Sequence, residues 1–232
     1  MMNMQSSGIM GRFYVIADWV YKFSFANIIW SVCNIPMFFI VLNLLMADEI
    51  GVIVVLFGLL IMLSPFVFFP TTMALFSIVH QFIQKEDVKL FADFWQYTRL
   101  HYKKGMKIGV ISTIFWTVLL IDFFYVMGTG NITFTYVFIV LGFFALIYNL
   151  HLLSGAVTID SKVRQLLKQV GIIMFGHPLL SMSLGMLSLT FVYVMTQWLP
   201  FLIPFFSGSI LVFLALLVFI KIHTSSIKLE KH

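Results

Sequence analysis

Four long stretches of the chain contain no charged residue. They cover residues 23–47, 50–84, 123–159 and 169–220. Each is longer than the roughly 20 residues that a helix needs to cross the hydrocarbon core of a bilayer. A soluble fold of this size would need far more polar positions to cover its surface. The pattern therefore predicts an all-α, polytopic helical membrane bundle that forms one integral membrane domain over 1–232.

Six transmembrane helices account for these stretches. The sequence GTGN at 128–131 is a turn signal that separates two spans, and WLPFLIP at 198–204 separates the last two. The second span starts near residue 50, and its end is left open. We place the other five spans at 23–47, 108–127, 134–157, 172–195 and 205–220.

The second span is unusually long and contains a candidate hinge. A straight helix over 50–84 would measure about 52 Å, well beyond the roughly 30 Å core. Pro65 and Pro70 are expected to kink or break it, and the hydroxyl groups of Thr71 and Thr72 can satisfy carbonyls that the prolines release. The pattern leaves open whether the span ends near the first proline or continues past the second.

The basic residues define the expected orientation. With six spans, the segments 1–22, 85–107, 158–171 and 221–232 face one side, and they carry 2, 6, 3 and 3 of the 14 Lys and Arg residues. The other side carries none. The positive-inside rule then places both termini in the cytoplasm. We expect the protein to lie in the plasma membrane. Composition agrees, with 61% hydrophobic and only 10% charged residues.

The expected cytoplasmic segments are amphipathic. They comprise an N-terminal helix within 1–22, a main loop at 85–107, a short helix in the 158–171 connection and a tail at 221–232. Two interpretations of their apolar faces compete: burial in the lipid headgroup layer, or docking of a protein partner by the main loop. The candidate docking residues are Leu90, Phe91, Phe94 and Trp95.

Four polar residues form a candidate layer inside the membrane. Asn34, His151 and His177 fall in the cytoplasmic half of their spans, and Asp122 lies near the opposite surface. Such residues can line a solute pathway or relay protons. The competing interpretation is that the first three form hydrogen bonds between helices and that Asp122 is a carboxylate at the end of a helix.

Enzyme chemistry is not visible in the sequence. There is no GxSxG, HExxH or glycine-rich phosphate loop. The single cysteine, Cys33, excludes an internal disulfide and a Cys/His zinc pattern. We therefore expect no catalytic residues, no metal and no cofactor. Nucleic-acid binding is not expected either, because the basic residues are spread over four segments that flank the membrane.

Three blocks of sequence carry a family resemblance. They read GRFYVIADWVYKFSFANIIW at 11–30, PTTMALF at 70–76 and DFWQYTRLHYKK at 93–104. Their order and spacing resemble the YesL-like family of bacterial integral membrane proteins, a domain of unknown function found mainly in Gram-positive bacteria. The second block departs from the family's usual form, because Phe69 stands where that form has glycine and Thr71 where it has alanine.

The resemblance implies a role in solute uptake and no chemical reaction. Members of the family often accompany carbohydrate-uptake genes, so the expected function is an accessory or regulatory component of carbohydrate uptake. The candidate partner, beside the lipid bilayer, is an ABC-type sugar importer. The alternative is a small solute transporter or channel that acts as a homodimer and uses the polar layer.

Overall fold

The computed structural model describes residues 9–86 and 88–229, and this part of the chain is almost wholly helical. Short turns join its nine α-helices, and no strand occurs within these residues. The helices are α1 (Ile9–Cys33), α2 (Ile35–Leu45), α3 (Ile50–Leu63), α4 (Phe69–Gln84), α5 (Leu90–Gly128), α6 (Ile132–Thr158), α7 (Val163–Gly176), α8 (Pro178–Gln197) and α9 (Ile203–Leu229).

Five helical stretches in the described chain are long and apolar enough to cross a membrane. They are Ile50–Gln84, Leu90–Gly128, Ile132–Thr158, Pro178–Gln197 and Pro200–Ser225. A sixth crossing forms if the bent pair Phe13–Cys33 and Ile35–Leu45 counts as one span. The predicted polytopic helical bundle is confirmed, whereas the orientation of its two sides stays a prediction.

The first span, expected over 23–47, starts earlier and is bent. Helix α1 already begins at Ile9, so the amphipathic segment within 1–22 and the start of the span form one helix. The chain breaks at Asn34, where the direction changes by 70° between α1 and α2. Pro36 explains the break, because proline has no N–H to donate to the carbonyl four residues earlier.

The second span continues past both prolines to Gln84. Between α3 and α4 the backbone forms a wider π-type turn at 64–68, in which the N–H of Phe69 donates to the carbonyl of Ser64. Pro65 lies inside this turn and is buried. The turn absorbs the proline without ending the helix, which answers the question that the sequence left open.

The main loop expected at 85–107 is mostly the first half of α5. This helix has 39 residues without a break and is about 58 Å long at 1.5 Å per residue, nearly twice the roughly 30 Å core of a bilayer. The apolar part, 108–128, is long enough to fill the core alone. The charged residues of this segment led to the expectation of a loop. Charged residues do not end a helix, however, and the segment has no proline that would.

Helix α7 is the amphipathic helix expected in the 158–171 connection. Its apolar face packs into the core through Leu166 and Val170, which are fully buried, so this face contacts protein rather than lipid headgroups. The helix continues to Gly176, and the fifth span therefore starts at Pro178, later than expected.

The fourth and sixth spans lie close to their predicted positions. Helix α6 covers Ile132–Thr158, and α9 begins at Ile203. The tail expected at 221–232 is the end of α9 as far as Leu229, and its last residues lie outside the described part of the chain.

Helix α4 is the centre of the core. Every residue from 69 to 79 is buried, and the helix contacts α1, α5, α6 and α9. The buried residues of α5 all precede residue 120, and those of α6 all follow residue 144. Helix α3 has no buried residue. The bundle is thus packed in one half and open in the other, where apolar side chains face outward as contact with lipid tails permits.

Candidate functional site

Asn27 binds one turn of α9 with both ends of its side-chain amide. Its Nδ2 donates to the carbonyl of Pro204 at 2.7 Å, and its Oδ1 accepts from the N–H groups of Gly208 and Ser209 at 2.8 Å each. Gly208 permits this approach, because a Cβ there would lie 3.0 Å from Oδ1. Asn27 is fully buried. Its amide therefore joins α1 to α9 and is not left to face a solute.

A second polar contact joins α1 to the Pro-Thr-Thr sequence of α4. The indole Nε1 of Trp30 donates to Thr72 Oγ1 at 3.1 Å, and Asn34 Nδ2 donates to Thr71 Oγ1 at 3.0 Å. Thr71 itself donates to the carbonyl of Val67 at 2.7 Å. Two residues of the candidate hinge are therefore buried and hydrogen-bonded to a neighbouring helix. Pro70, beside them, is buried as well, so these three residues pack against neighbouring helices.

His151 is fully buried where four helices meet. Its Nε2 lies 3.1 Å from Ser181 Oγ on α8, and Ser181 donates to the carbonyl of Met174 on α7. The imidazole ring packs against Phe219 of α9, with ring centroids 5.9 Å apart. A hydrogen bond from a buried side chain to a neighbouring helix is a common way to hold membrane helices together.

The structure does not bring the four residues of the predicted polar layer into one site. Asn34 contacts α4, His151 contacts α8, and His177 lies in the break between α7 and α8. Within the described chain no hydrogen bond joins any two of them. Asp122 is exposed towards the far end of α5. Asn34 and His151 therefore belong to separate helix contacts, and the four residues do not form a layer.

An apolar cleft of about 470 Å³ lies between α4 and the open half of the bundle. Its walls come from α3, α5, α6 and α9, and none of the described residues that line it is charged. Its volume falls within the roughly 300–1,000 Å³ of small-molecule sites. The polar side chains at its wall are Trp30, Ser64, Thr72, Thr113, Thr117 and Asn149. This cleft was not predicted, because residues from six helices form it, Trp30 of α1 among them.

Two of the four predicted docking residues are available to a partner. Phe91 is 61% exposed and Trp95 is 42% exposed, one helical turn apart on α5. Leu90 is half-buried, and Phe94 is fully buried within the core cluster. Phe94 therefore does not belong to an exposed surface. The sequence pattern could not separate these faces without knowing that α4 packs beside this part of α5.

Lys104 fixes the same end of α5 to α6. Its Nζ donates to the carbonyls of Ala156 at 2.8 Å and Ile159 at 3.3 Å. These carbonyls lie at the C-terminal end of α6, where a helix lacks internal donors and where a positive charge is favourable. In the sequence Lys104 is only one of many basic residues beside a span. Its acceptor carbonyls lie some fifty residues further along the chain, so no local sequence pattern indicates this contact.

These contacts define the class of protein. The described residues form a bundle of apolar helices joined mainly by hydrogen bonds between neutral groups, with Lys104 as a charged donor. They contain no group of three His, Cys, Asp or Glu side chains that could hold a metal ion. The chain is thus a polytopic α-helical membrane protein.

The comparisons with known proteins match part of the chain to one family and nearly all of it to one relative. Residues 23–123 match the family described as "Protein of unknown function, DUF624", a segment that contains the second and third sequence blocks entirely. The protein named "Uncharacterized protein YteU" from Bacillus subtilis (strain 168) is 23% identical over 233 residues, which cover 99% of this chain and 91% of YteU. No solved structure matches the chain. These matches support the resemblance to the YesL-like family for residues 23–123 of the chain.

Proposed function

We propose that the protein is a non-enzymatic accessory or regulatory subunit of solute uptake at the plasma membrane. It contacts its partner through an aromatic stripe on α5, formed by Phe91 and Trp95. The observation that carries the proposal is the exposure of this stripe on a rigid, unbroken helix. The family resemblance supports carbohydrate as the solute and an ABC-type sugar importer as the partner.

The length of α5 supports a protein partner rather than the headgroup layer. Lys107 is the last basic residue before the apolar part of the helix. Trp95 lies about 18 Å before it along the axis, and Phe91 about 24 Å. The headgroup layer adds only about 5–8 Å on each side of the hydrocarbon core. A helix α5 that runs along the membrane normal would carry the stripe past the lipid into the aqueous phase, which supports a protein partner.

The anchoring of this part of α5 also supports docking. Phe94 lies beside the stripe residues and packs into the core, its ring centroid 6.4 Å from that of Trp95, and Lys104 ties the helix to α6. Aromatic side chains on a fixed backbone are typical anchors of protein interfaces. Because the helix already holds these side chains in place, binding a partner costs less conformational entropy, and the complex is tighter for it.

The alternative function, a small dimeric solute transporter or channel, is supported by fewer observations. In its favour, Asn34 Oδ1, His151 Nδ1 and His177 Nδ1 are buried without a hydrogen-bond partner in the described chain. Against it, none of these residues lines the apolar cleft. Their separation into different helix contacts leaves no shared pathway among them, so we favour the accessory role.

The test is co-purification of the tagged full chain in a mild detergent from cells grown on different carbon sources. We expect the chain to retain an importer permease or ATPase in stoichiometric amount. The double variant Phe91→Ser, Trp95→Ser should lose it while still inserting in the membrane. Phe201→Ser, which changes an aromatic residue of similar exposure in the turn before α9, is the matched control. A homo-oligomer without a partner would favour the transporter instead.

A further inference from the structure

We propose that the apolar cleft binds an uncharged lipid, and that the hydroxyl of Thr113 is its hydrogen-bonding contact. The lipid class is one whose chain carries a neutral oxygen, as a hydroxyl or an ester, and which has no charged head group. This site is separate from the aromatic stripe. Thr113 lies 18 residues beyond Trp95 on α5, or about 27 Å along the helix, so the inference does not depend on the proposed function.

The shape and lining of the cleft fit a hydrocarbon chain. Its 470 Å³ would hold on the order of fifteen methylene groups, if each takes roughly the 30 Å³ of one water. Phenylalanine, leucine and isoleucine side chains form most of its wall. Such a cavity is dry, so an apolar chain is a better occupant than a sugar, whose many hydroxyls would lose their hydrogen bonds to water.

Thr113 marks where the polar atom of the ligand would lie. Its side chain is at the wall of the cleft, the residue is only 9% exposed, and its Oγ1 has no hydrogen-bond partner in the described chain. The hydroxyl of Ser188 on α8 also lacks a partner in the described chain, but Ser188 does not line the cleft. Several other helical hydroxyls are satisfied. Thr98, Ser154 and Thr158 each donate to the carbonyl four residues earlier. An unsatisfied buried hydroxyl costs about 1–3 kcal/mol, which a ligand oxygen would recover.

The depth of Thr113 selects an uncharged ligand. Lys104 and Lys107 mark the boundary of the apolar part of α5, and Thr113 lies about 9–14 Å beyond them along the axis. This depth is close to the middle of a roughly 30 Å core. A phospholipid could reach Thr113 with an ester oxygen only by drawing its charged head group into hydrocarbon, which is costly. A neutral lipid such as a diacylglycerol or a long-chain alcohol meets no such penalty.

Two tryptophans at the cleft make the inference testable by fluorescence. Trp30 and Trp116 line it, and bromine atoms on a lipid chain quench a tryptophan they contact. The full chain is placed in phosphatidylcholine nanodiscs and titrated with a diacylglycerol that carries dibrominated chains. A phosphatidylcholine with the same brominated chains is titrated in parallel. The difference between the parent chain and its Trp116→Phe variant isolates the emission of Trp116.

We expect the brominated diacylglycerol to quench Trp116 saturably at a few mole per cent, well above the quenching by the brominated phosphatidylcholine. Thr113→Val keeps the shape and removes the hydroxyl, so it should weaken the apparent affinity about tenfold, the effect of one hydrogen bond. Thr196→Val is the matched control, because Thr196 is exposed and bonds to its own helix.

Two results would overturn the proposal. Equal quenching by the two brominated lipids would identify bulk lipid as the occupant of the cleft. Unchanged affinity in Thr113→Val would remove the hydroxyl from the site. Loss of folding does not obscure the second result, because Thr113→Val removes an unpartnered hydroxyl and is expected to leave the heat stability unchanged or raised.

Discussion

Asn27→Ala is expected to weaken the contact between α1 and α9. The substitution removes the amide that donates to Pro204 and accepts from Gly208 and Ser209. Alanine cannot replace any of these bonds, and its smaller side chain leaves space beside Gly208. No water is available in a buried helix contact to satisfy the released groups. The loss should therefore appear as a lower stability of the whole bundle.

The size of the effect follows from the three short bonds. Hydrogen bonds in membrane and soluble proteins contribute roughly 0.6–1.5 kcal/mol each, so their loss costs about 2–4 kcal/mol. Part of this is recovered if the N–H of Gly208 returns to the carbonyl of Pro204 within α9. For a chain of about this length, a loss of 2–3 kcal/mol lowers the midpoint of thermal unfolding by roughly 5–10 °C.

The measurement is the thermal unfolding of the purified chain in one detergent, followed by the emission of its tryptophans. Asn43→Ala is the matched control, because Asn43 is exposed on α2 and bonds only to the carbonyl of Phe39 in the same helix. The control should move the midpoint by less than about 2 °C. If Asn27→Ala unfolds at the same temperature as Asn43→Ala, the amide does not hold α1 and α9 together.

Two further changes test other helix contacts. Lys104→Met should destabilise the bundle by about 1–2 kcal/mol, since a charged hydrogen bond to the end of α6 is lost, whereas Lys103→Met, at an exposed position, should have little effect on the unfolding midpoint. Gly109→Ala should prevent stable folding, because its Cβ would lie 2.8 Å from Pro65 Cα. Gly58→Ala meets nothing within 4 Å and should raise the midpoint, as alanine favours a helix over glycine. If the two glycine variants, or the two lysine variants, unfold at the same temperature, the corresponding contact does not stabilise the bundle.

The fold was predictable to the extent that hydropathy determines it. Uninterrupted apolar stretches predict spans in any bilayer, so the all-helical bundle and most of its crossings were visible in the sequence. The positions at which the helices break were harder to predict. Pro36 ends α1, whereas Pro65 is absorbed in a wider turn. The outcome depends on which groups surround a released carbonyl, and those groups come from other helices.

The candidate sites were less predictable, for the same physical reason. Phe91 and Phe94 look alike in the sequence, yet one is exposed and the other is buried. Thr113 stands in an apolar stretch like many other threonines, and only the neighbouring helices reveal that its hydroxyl lacks a partner. Hydropathy indicates that a helix lies in the membrane but not which of its faces meets protein, lipid or a cleft.

The π-type turn at 64–68 is a position where the chain can lose one residue. A π-type turn contains one residue more than the α-helix needs, so deleting one residue there would restore a regular helix rather than break it. The deletion would rotate α3 by about 100° around the axis of α4. Helix α3 has no buried residue, so such a rotation would change its contacts with α2 and α5 and its wall of the apolar cleft but would leave the core intact. This turn is therefore the position in the span where the chain tolerates a one-residue deletion.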